Sequence, residues 1–266
     1  MRLATFNILH GRSFHDDEVD LDRYARAITD LDADVLALQE VDRGQPRSHG
    51  ADLTAIAAEA MGAVEHRFAA TLTGVPEDWA AASGEDEPAA PAYGIALLSR
   101  LPVREWLVVP LKGREGRIPI KKADEDDLTF IIDEPRVALA AVLETPDGPL
   151  TVVNTHLTFL ADWSRLQLRT VIENIATLPR PAVLMGDLNL TGSRPNGLTG
   201  WRSLANELTY PVDEPDRQID HVLAEGTIRA AAPARTVDTG ISDHRALVVE
   251  IARGWSANGA EPAAGD

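Results

Sequence analysis

The sequence of 266 residues contains no cysteine. This absence excludes disulfide bridges, thiolate zinc sites and cysteine nucleophiles, so any bound metal must use oxygen and imidazole ligands. No run of about 18 apolar residues occurs, and the sequence therefore offers no membrane span. The N-terminal residues, MRLATFNIL, are too interrupted for the apolar core of a signal peptide. We therefore expect a cytoplasmic protein.

Basic residues are scarce, with 25 Lys and Arg against 42 Asp and Glu and a formal net charge of -17. This charge opposes the approach of nucleic acid or anionic lipid. Basic side chains concentrate only in residues 112–122, and the next residues, 123–127, reverse the sign. A charged surface excursion is the favoured interpretation of this stretch. The alternative is a lid that supplies cations to an anionic substrate.

The apolar content of 44% is enough for one large core, and we expect a single catalytic domain over residues 1–253. Residues 73–92 are rich in Ala, Pro and acidic side chains without periodicity, which predicts a solvated loop. The composition of residues 254–266 predicts a disordered tail.

Strand and helix patterns alternate along the chain, which predicts an α/β fold. Amphipathic or Ala-rich patterns predict helices over 21–31, 51–61 and about 163–178. Apolar runs predict strands at 2–8, 34–41, 93–100, 136–145, 149–157, 182–187, 218–224 and 244–252, the fourth and fifth of these joined by a PDG turn.

Two strand-helix-strand units have the same spacing between their polar strand ends. In the first unit 33 positions separate Asn7 from Glu40, and in the second 33 positions separate Asn154 from Asp187. Because ligands of open α/β sheets gather at the carboxyl ends of strands, this spacing supports one shared site.

Several apolar strands end in carboxylate, imidazole or amide side chains. Each of them alone has an ordinary structural explanation, such as a cap, an ion pair or a hydrogen-bonded core histidine. Together they would crowd several acids, which costs several kcal/mol per ion unless a cation or a substrate compensates. The polar strand ends are Asn7, Glu40, His156, Asp187, Asn189, Asp220, Asp243 and His244.

Seven motifs, TFNI, LQEV, YGIALLSR, NTHL, GDLN, QIDHV and SDHRAL, follow one another between residues 5 and 247. In this order they resemble the endonuclease/exonuclease/phosphatase superfamily of metal-dependent hydrolases with the DNase I-like fold. The resemblance implies a four-layered α/β sandwich with two central mixed β-sheets and a site at one edge between them.

The resemblance implies a metal site as well. Glu40 corresponds to the principal Mg²⁺ ligand, with Asn7 beside it and Asp243 as a further ligand. Mg²⁺ prefers carboxylate oxygens and retains water, so one or two acidic side chains suffice. Mn²⁺ is the alternative ion.

Five further residues take catalytic roles by the same resemblance. Asp187 orients and activates the attacking water, and Asn189 holds a non-bridging phosphate oxygen. His244, oriented by Asp220, serves as the second acid/base or stabilising group, and His156 hydrogen-bonds the phosphate from the other side. This set matches what phosphoester hydrolysis requires, namely an in-line water and donors around the equatorial oxygens.

Other positions remain open or depart from part of the superfamily. Arg136 is a candidate phosphate clamp, or a surface arginine paired with Glu134, and Tyr93 either faces the site or packs. Abasic-site nucleases carry a tryptophan shortly before the Asp that orients the histidine, where this chain has Arg217 and Gln218. The NTHL motif resembles instead the sphingomyelinase, inositol-phosphatase, deadenylase and DNase-like members.

We therefore expect an Mg²⁺-dependent hydrolase of a small or lipid-like phosphoester. A nuclease with the same fold is the second hypothesis, disfavoured by the acidic charge and the single basic stretch. A non-catalytic binding domain is the third, and it predicts the loss of at least one chemical residue.

Overall fold

The computed structural model of the protein describes residues 1–76, 78–82, 90–120 and 128–253. Within these ranges it contains four α-helices and sixteen strands. The helices are α1 (Leu21–Leu31), α2 (Leu53–Met61), α3 (Ala161–Asn174) and α4 (Arg194–Thr199). The strands are β1 (Arg2–Asn7), β2 (Val35–Arg43), β3 (Glu65–Thr73), β4 (Ala80–Ala81), β5 (Ala92–Ser99), β6 (Val103–Leu111), β7 (Arg117–Ile120), β8 (Thr129–Ile132), β9 (Arg136–Thr145), β10 (Gly148–His156), β11 (Ala182–Asp187), β12 (Arg202–Ser203), β13 (Asp220–Glu225), β14 (Ile228–Ala230), β15 (Arg235–Val237) and β16 (Ala246–Arg253).

Two large sheets form the centre of the fold. The first has the order β14-β16-β1-β2-β5-β3-β4, with β15 also paired to β16, and the second has the order β12-β13-β11-β10-β9-β6. Each sheet contains one parallel pair, β1 with β2 and β10 with β11, among antiparallel neighbours. These two pairs are the units whose equal spacing the sequence displays, so both present strand ends at the same edge of the fold.

Three apolar interfaces separate four layers. The two sheets pack face to face through one cluster, which includes Leu3 of β1 and Val152 of β10. The neighbouring residue Ala4 points to the opposite face of its sheet and packs with α1 and α2. Helix α3 covers the second sheet through residues such as Leu168. The alternation of side chains along each strand thus produces the four-layered α/β sandwich with two mixed sheets that the sequence predicts.

Helix α1 shows why the predicted elements form where they do. The Asp20 carboxylate caps its first turn by accepting hydrogen bonds from the backbone N–H groups of Asp22 and Arg23, both at 2.9 Å. The residues at helical spacing that point to the core are Tyr24, Ala27, Ile28 and Leu31. The helix ends at Leu31, and the C-cap residue Asp32 has a left-handed backbone (φ 45°).

Several predicted boundaries were wrong. Strands β3 and β6 were not predicted, because β3 carries charged residues and β6 contains Pro110, which an edge strand tolerates. Helix α3 ends at Asn174 rather than near residue 178. The predicted loop 73–92 contains strand β4 in its described part, paired with the end of β3.

Strand β7 lies within the predicted surface excursion and pairs with β8, which lies just beyond it. Residues 121–127 and the predicted disordered tail, 254–266, lie outside the described residues. Among the residues that the structure describes, no helix is long and apolar enough to cross a membrane.

Candidate active site

A pocket of about 350 Å³ opens at the edge where the two parallel strand pairs end. It is lined by Glu40, Tyr93, Glu134, Arg136, His156, Phe159, Asp187, Asn189, Tyr210, Arg217, Ile219, Asp243 and His244. A larger cavity of about 900 Å³ lies elsewhere, between residues such as Leu150, Ile228 and Arg253. Only the smaller of these two pockets gathers the polar strand ends.

Asn7 links the two sheets at the base of this pocket. It is the last residue of β1, and its amide nitrogen donates to Glu40 Oε1 at 3.0 Å and to Asp187 Oδ2 at 3.2 Å. Its amide oxygen accepts a hydrogen bond from the backbone N–H of Leu9 at 3.2 Å. The amide therefore fixes the distance between a carboxylate of the first sheet and a carboxylate of the second.

Glu40 points into the pocket because β2 bulges where it pairs with β5. The register shifts between Leu38 and Val41, and Glu40 has a left-handed backbone (φ 57°). Burial raises the pKa of Glu40 and the nearby Asp243 carboxylate raises it further, while the Asn7 amide and His244 oppose the shift. Two acidic groups, Glu40 and Asp243, thus face one pocket. Within the described ranges no Lys or Arg forms an ion pair with either of them.

His244 and Asp220 form a buried dyad. His244 Nδ1 lies 2.9 Å from Asp220 Oδ2, and the Thr209 hydroxyl donates to the same oxygen at 2.6 Å. Burial lowers the pKa of His244, but the carboxylates of Asp220, Asp187 and Asp243 outweigh this effect and raise it to about 10. The imidazole is therefore a cation at neutral pH, with Nε2 facing Asp187 Oδ2 at 3.8 Å.

An aromatic ring covers the dyad although no tryptophan stands shortly before Asp220. The Tyr210 ring lies 4.8 Å from the His244 ring between centroids, and the guanidinium of Arg217 lies 4.6 Å from the Tyr210 centroid. An isolated bridge between Tyr210 and Arg217 positions this loop. The aromatic wall therefore comes from a residue ten positions before Asp220 rather than from its immediate neighbours.

Asp187 ends β11 and is almost fully buried. Burial, followed by the Asp220 carboxylate, raises its pKa to about 7. The strand stops at Asp187, as its apolar run predicts, and Asn189 follows with a left-handed backbone (φ 51°). The backbone N–H of Asn189 donates to Asp187 Oδ1 at 3.0 Å, and this local turn returns both side chains to the pocket.

His156 occupies the other wall. Arg136 Nη1 lies 3.2 Å from His156 Nδ1, and His156 Nε2 lies 3.5 Å from Asp187 Oδ2. Burial, followed by the charges of Arg136 and His244, lowers the pKa of His156 well below its usual value. A neutral imidazole that accepts from arginine at Nδ1 carries its proton on Nε2, so it donates into the pocket.

Arg136 lines the pocket and also approaches Glu134. Its Nη2 lies 3.8 Å from Glu134 Oε2, while Nη1 reaches His156 and Nε is buried without a hydrogen-bond partner. Its side chain is only 9% exposed, so it is a wall of the pocket rather than a surface residue. Tyr93 also lines the pocket.

The structure therefore brings together every site residue that the sequence indicates. Seven of them line the pocket, while Asn7 and Asp220 hold the residues that do. Ligand atoms of Asp187, Asp220 and His244 lie within 4.8 Å of one another, a spacing compatible with an ion. Sequence reasoning missed Thr209 and Tyr210, because neither lies in a motif and both reach the dyad through a loop. It also missed Phe159, whose only signal is its position three residues after His156.

Residues 4–244 match the model of the Endonuclease/Exonuclease/phosphatase family. A search of curated proteins found no significant match. Among solved structures, an endonuclease/exonuclease/phosphatase from Beutenbergia cavernae is 25% identical, with a TM-score of 0.70 over 96% of this chain and 72% of that one.

Two further structures are similar in fold. A mannosyl-6-phosphatase of Bacteroides thetaiotaomicron is 15% identical, with a TM-score of 0.62 over 95% of this chain and 99% of that one. A beta toxin of Staphylococcus aureus, solved with bound magnesium ions, is 12% identical, with a TM-score of 0.62 over 94% of this chain and 98% of that one.

Proposed function

The chain belongs to the endonuclease/exonuclease/phosphatase family of phosphoester hydrolases, and on that premise we propose that it catalyses the Mg²⁺-dependent hydrolysis of a small or lipid-like phosphoester. One observation carries this proposal. Asp187 faces two imidazoles of opposite character, the cationic His244 at 3.8 Å and the neutral His156 at 3.5 Å. A base, a cation and a hydrogen-bond donor thus converge on one pocket.

The donor set of the pocket fits a hard divalent cation. Glu40 and Asp243 supply carboxylate oxygens, the ligand type that Mg²⁺ and Mn²⁺ prefer, and in the described part of the chain neither forms an ion pair with a Lys or Arg. Asn7 is the third candidate ligand through its amide oxygen, which accepts one hydrogen bond from Leu9 and keeps a second lone pair. When bound, the ion supplies a positive charge that stabilises the charge developing on the phosphate.

We place the cation beside Glu40 and Asp243 rather than among Asp187, Asp220 and His244. In the latter group His244 Nδ1 is already bonded to Asp220 and the imidazole carries a proton. A protonated ring offers no lone pair to a metal and repels it.

Asp187 accepts the proton of the attacking water. Its pKa of about 7 is close to neutral pH, where about half of the carboxylate is ionised and that fraction is basic enough to take a proton. The hydrogen bonds from the Asn7 amide and the Asn189 N–H hold both of its oxygens in place. The carboxylate is therefore oriented before the substrate enters.

The remaining residues stabilise the phosphate. His244 presents a proton at Nε2 to the developing oxyanion, and Asp220 holds the ring in that orientation. His156 donates from Nε2, while Asn189 and Arg136 supply further donors along the same wall. These groups bind charge that grows in the transition state, which is the requirement for catalysis.

Hydrolysis of a panel of phosphoesters tests this proposal. The panel contains bis-nitrophenyl phosphate, nucleotides, inositol phosphates, sphingomyelin and plasmid DNA, each assayed with Mg²⁺. Asp187→Asn serves as the blank, with its thermal unfolding measured to confirm that it folds. Turnover of at least one substrate by the wild-type protein and none by the variant supports the proposal. Equal rates in both proteins contradict it.

A further inference from the structure

Two aromatic side chains and an arginine lie together beside the Glu40 wall of the pocket. The rings of Trp79 and Tyr93 are 6.0 Å apart between centroids and tilted by 43°. The guanidinium of Arg47 lies 5.9 Å from the Trp79 centroid and 5.4 Å from the Tyr93 centroid. We call these three residues the aromatic shelf. Neither the family match nor the proposed chemistry uses Trp79 or Arg47.

The guanidinium of Arg47 is held in place by a buried carboxylate. Its Nε and Nη2 donate to the two oxygens of Asp42 at 2.8 and 2.7 Å, and the Asp42 side chain is fully buried. The Ser48 hydroxyl donates to the same carboxylate at 3.1 Å. A bidentate arginine anchored in this way is rigid, so the ring faces beside it have a fixed position.

Tyr93 connects the shelf to the reacting centre. It lines the pocket together with Glu40 and pairs in register with Asp42, two residues after Glu40 on the neighbouring strand. The loop that carries Trp79 is tied to the turn that carries Arg47, because the Gln45 side chain donates to the carbonyl of Gly74 at 2.8 Å. Tyr93 is thus the shelf residue that lines the pocket, and Trp79 and Arg47 adjoin it.

We propose that the aromatic shelf binds a planar ring in the alcohol part of the substrate, an inference that rests on the proposed hydrolase function. Offset or edge-to-face contact with Tyr93 and Trp79 favours an aromatic ring over a saturated one of similar size. The guanidinium of Arg47 already lies beside both rings, so a quaternary ammonium group would compete with it for the same position, although such groups otherwise suit aromatic surfaces. The class of substrate is thus a phosphoester whose alcohol carries a neutral or anionic aromatic ring.

The test compares 2-phenylethyl phosphonate with 2-cyclohexylethyl phosphonate, which have the same charge and linker and are not hydrolysed. Their Kd values are measured by titration calorimetry in Mg²⁺. We expect the wild-type protein to bind the phenyl compound about fivefold more tightly, the effect of one aromatic contact. In Tyr93→Leu and in Trp79→Leu the ratio of the two Kd values should fall toward one, while Tyr93→Phe should retain the wild-type ratio.

Phe130→Leu is the matched control, because Phe130 also has an arginine near its ring, Arg117 at 5.4 Å, but lies outside the pocket lining. It should retain the preference. Equal Kd values in the wild-type protein, no measurable binding, or a preference that survives both leucine variants at the shelf overturns the inference. Hydrolysis of the two matching phosphates is measured in parallel. If the phenyl compound binds more tightly but neither phosphate is hydrolysed, the proposed hydrolase function fails while the inference about ring binding at the shelf stands.

Discussion

The Nδ1 atom of His244 and the Oδ2 atom of Asp220 lie 2.9 Å apart in a buried environment, and this contact directs the other ring nitrogen toward Asp187. Because a positioned acid/base group typically contributes about 10²- to 10⁴-fold, we expect His244→Ala to lose most of kcat. Asp220→Asn should lower kcat less, through a misoriented ring. Steady-state kinetics on the preferred substrate measures both. His66→Ala, at an exposed position of β3, is the control, and an active His244→Ala enzyme contradicts the assignment.

Thr209 is hydrogen-bonded to the Asp220 carboxylate of the dyad. Its hydroxyl donates to Asp220 at 2.6 Å and is fully buried. A hydrogen bond to a charged group contributes about 1.5–3 kcal/mol, so Thr209→Val should lower kcat by about tenfold or more with little change in KM. Thr209→Ser keeps the donor and should restore kcat. Equal kcat in the valine and serine variants, at equal thermal stability, rejects this positioning role.

The metal requirement can be measured directly. EDTA should abolish activity, and Mg²⁺ or Mn²⁺ should restore it. Glu40→Gln should raise the Mg²⁺ concentration needed for half-maximal activity by about tenfold or more, because one of the two carboxylates is lost. Glu59→Gln, an exposed change on α2, should leave that concentration unchanged. Full activity in EDTA would remove the metal from the mechanism.

Nucleic acid should be a poor substrate. A nuclease with several phosphate contacts loses affinity with salt, log K falling by about 0.9 per contact for each tenfold rise. The net charge of -17 opposes such contacts, so we expect slow plasmid nicking beside faster hydrolysis of a small phosphodiester. Both are assayed in Mg²⁺ at low and moderate salt. Efficient, salt-sensitive nicking that Asp187→Asn abolishes would establish the nuclease alternative.

Acid should destabilise the fold through His10. Burial, followed by the charges of Arg47 and Arg12, lowers its pKa to about 3, against about 6.5 in an unfolded chain. Between these values the unfolded state binds a proton that the folded state does not, so the free energy of unfolding falls as pH falls through this window.

His10→Asn should reduce this pH dependence, and asparagine tolerates the left-handed backbone of the position (φ 48°). Thermal midpoints at about pH 7.5 and about pH 4.5 measure the effect. Between these two pH values the thermal midpoint of the variant should fall less than that of the wild-type protein. The exposed change His66→Asn is the control. An equal fall of the thermal midpoint in the wild-type protein and in His10→Asn contradicts this prediction.

The sequence predicted the bounds of some elements well, because the apolar period of a buried strand or of an amphipathic helix is visible in the chain. The strand that ends at Asp187 and the helix over Leu21–Leu31 are examples. The same signal could not reveal Tyr210 or Thr209, which reach the dyad only through tertiary folding of a loop. Asn154 shows the reverse case. The equal spacing placed it at a polar strand end together with Asp187, but it is fully buried and donates to the carbonyls of Leu38 and Ala96 in the other sheet.

The left-handed backbone at Glu40 has a consequence for protein engineering. Glycine would adopt this conformation with less strain, and the same holds for Ser242 (φ 69°), whose hydroxyl donates to the Asn7 carbonyl at 2.6 Å. A screen for thermostability alone would therefore favour glycine at both positions and remove a carboxylate and an anchor of the site. Selection for thermostability and selection for turnover therefore favour different residues at these two positions. Libraries designed for thermostability should keep Glu40 and Ser242 unchanged.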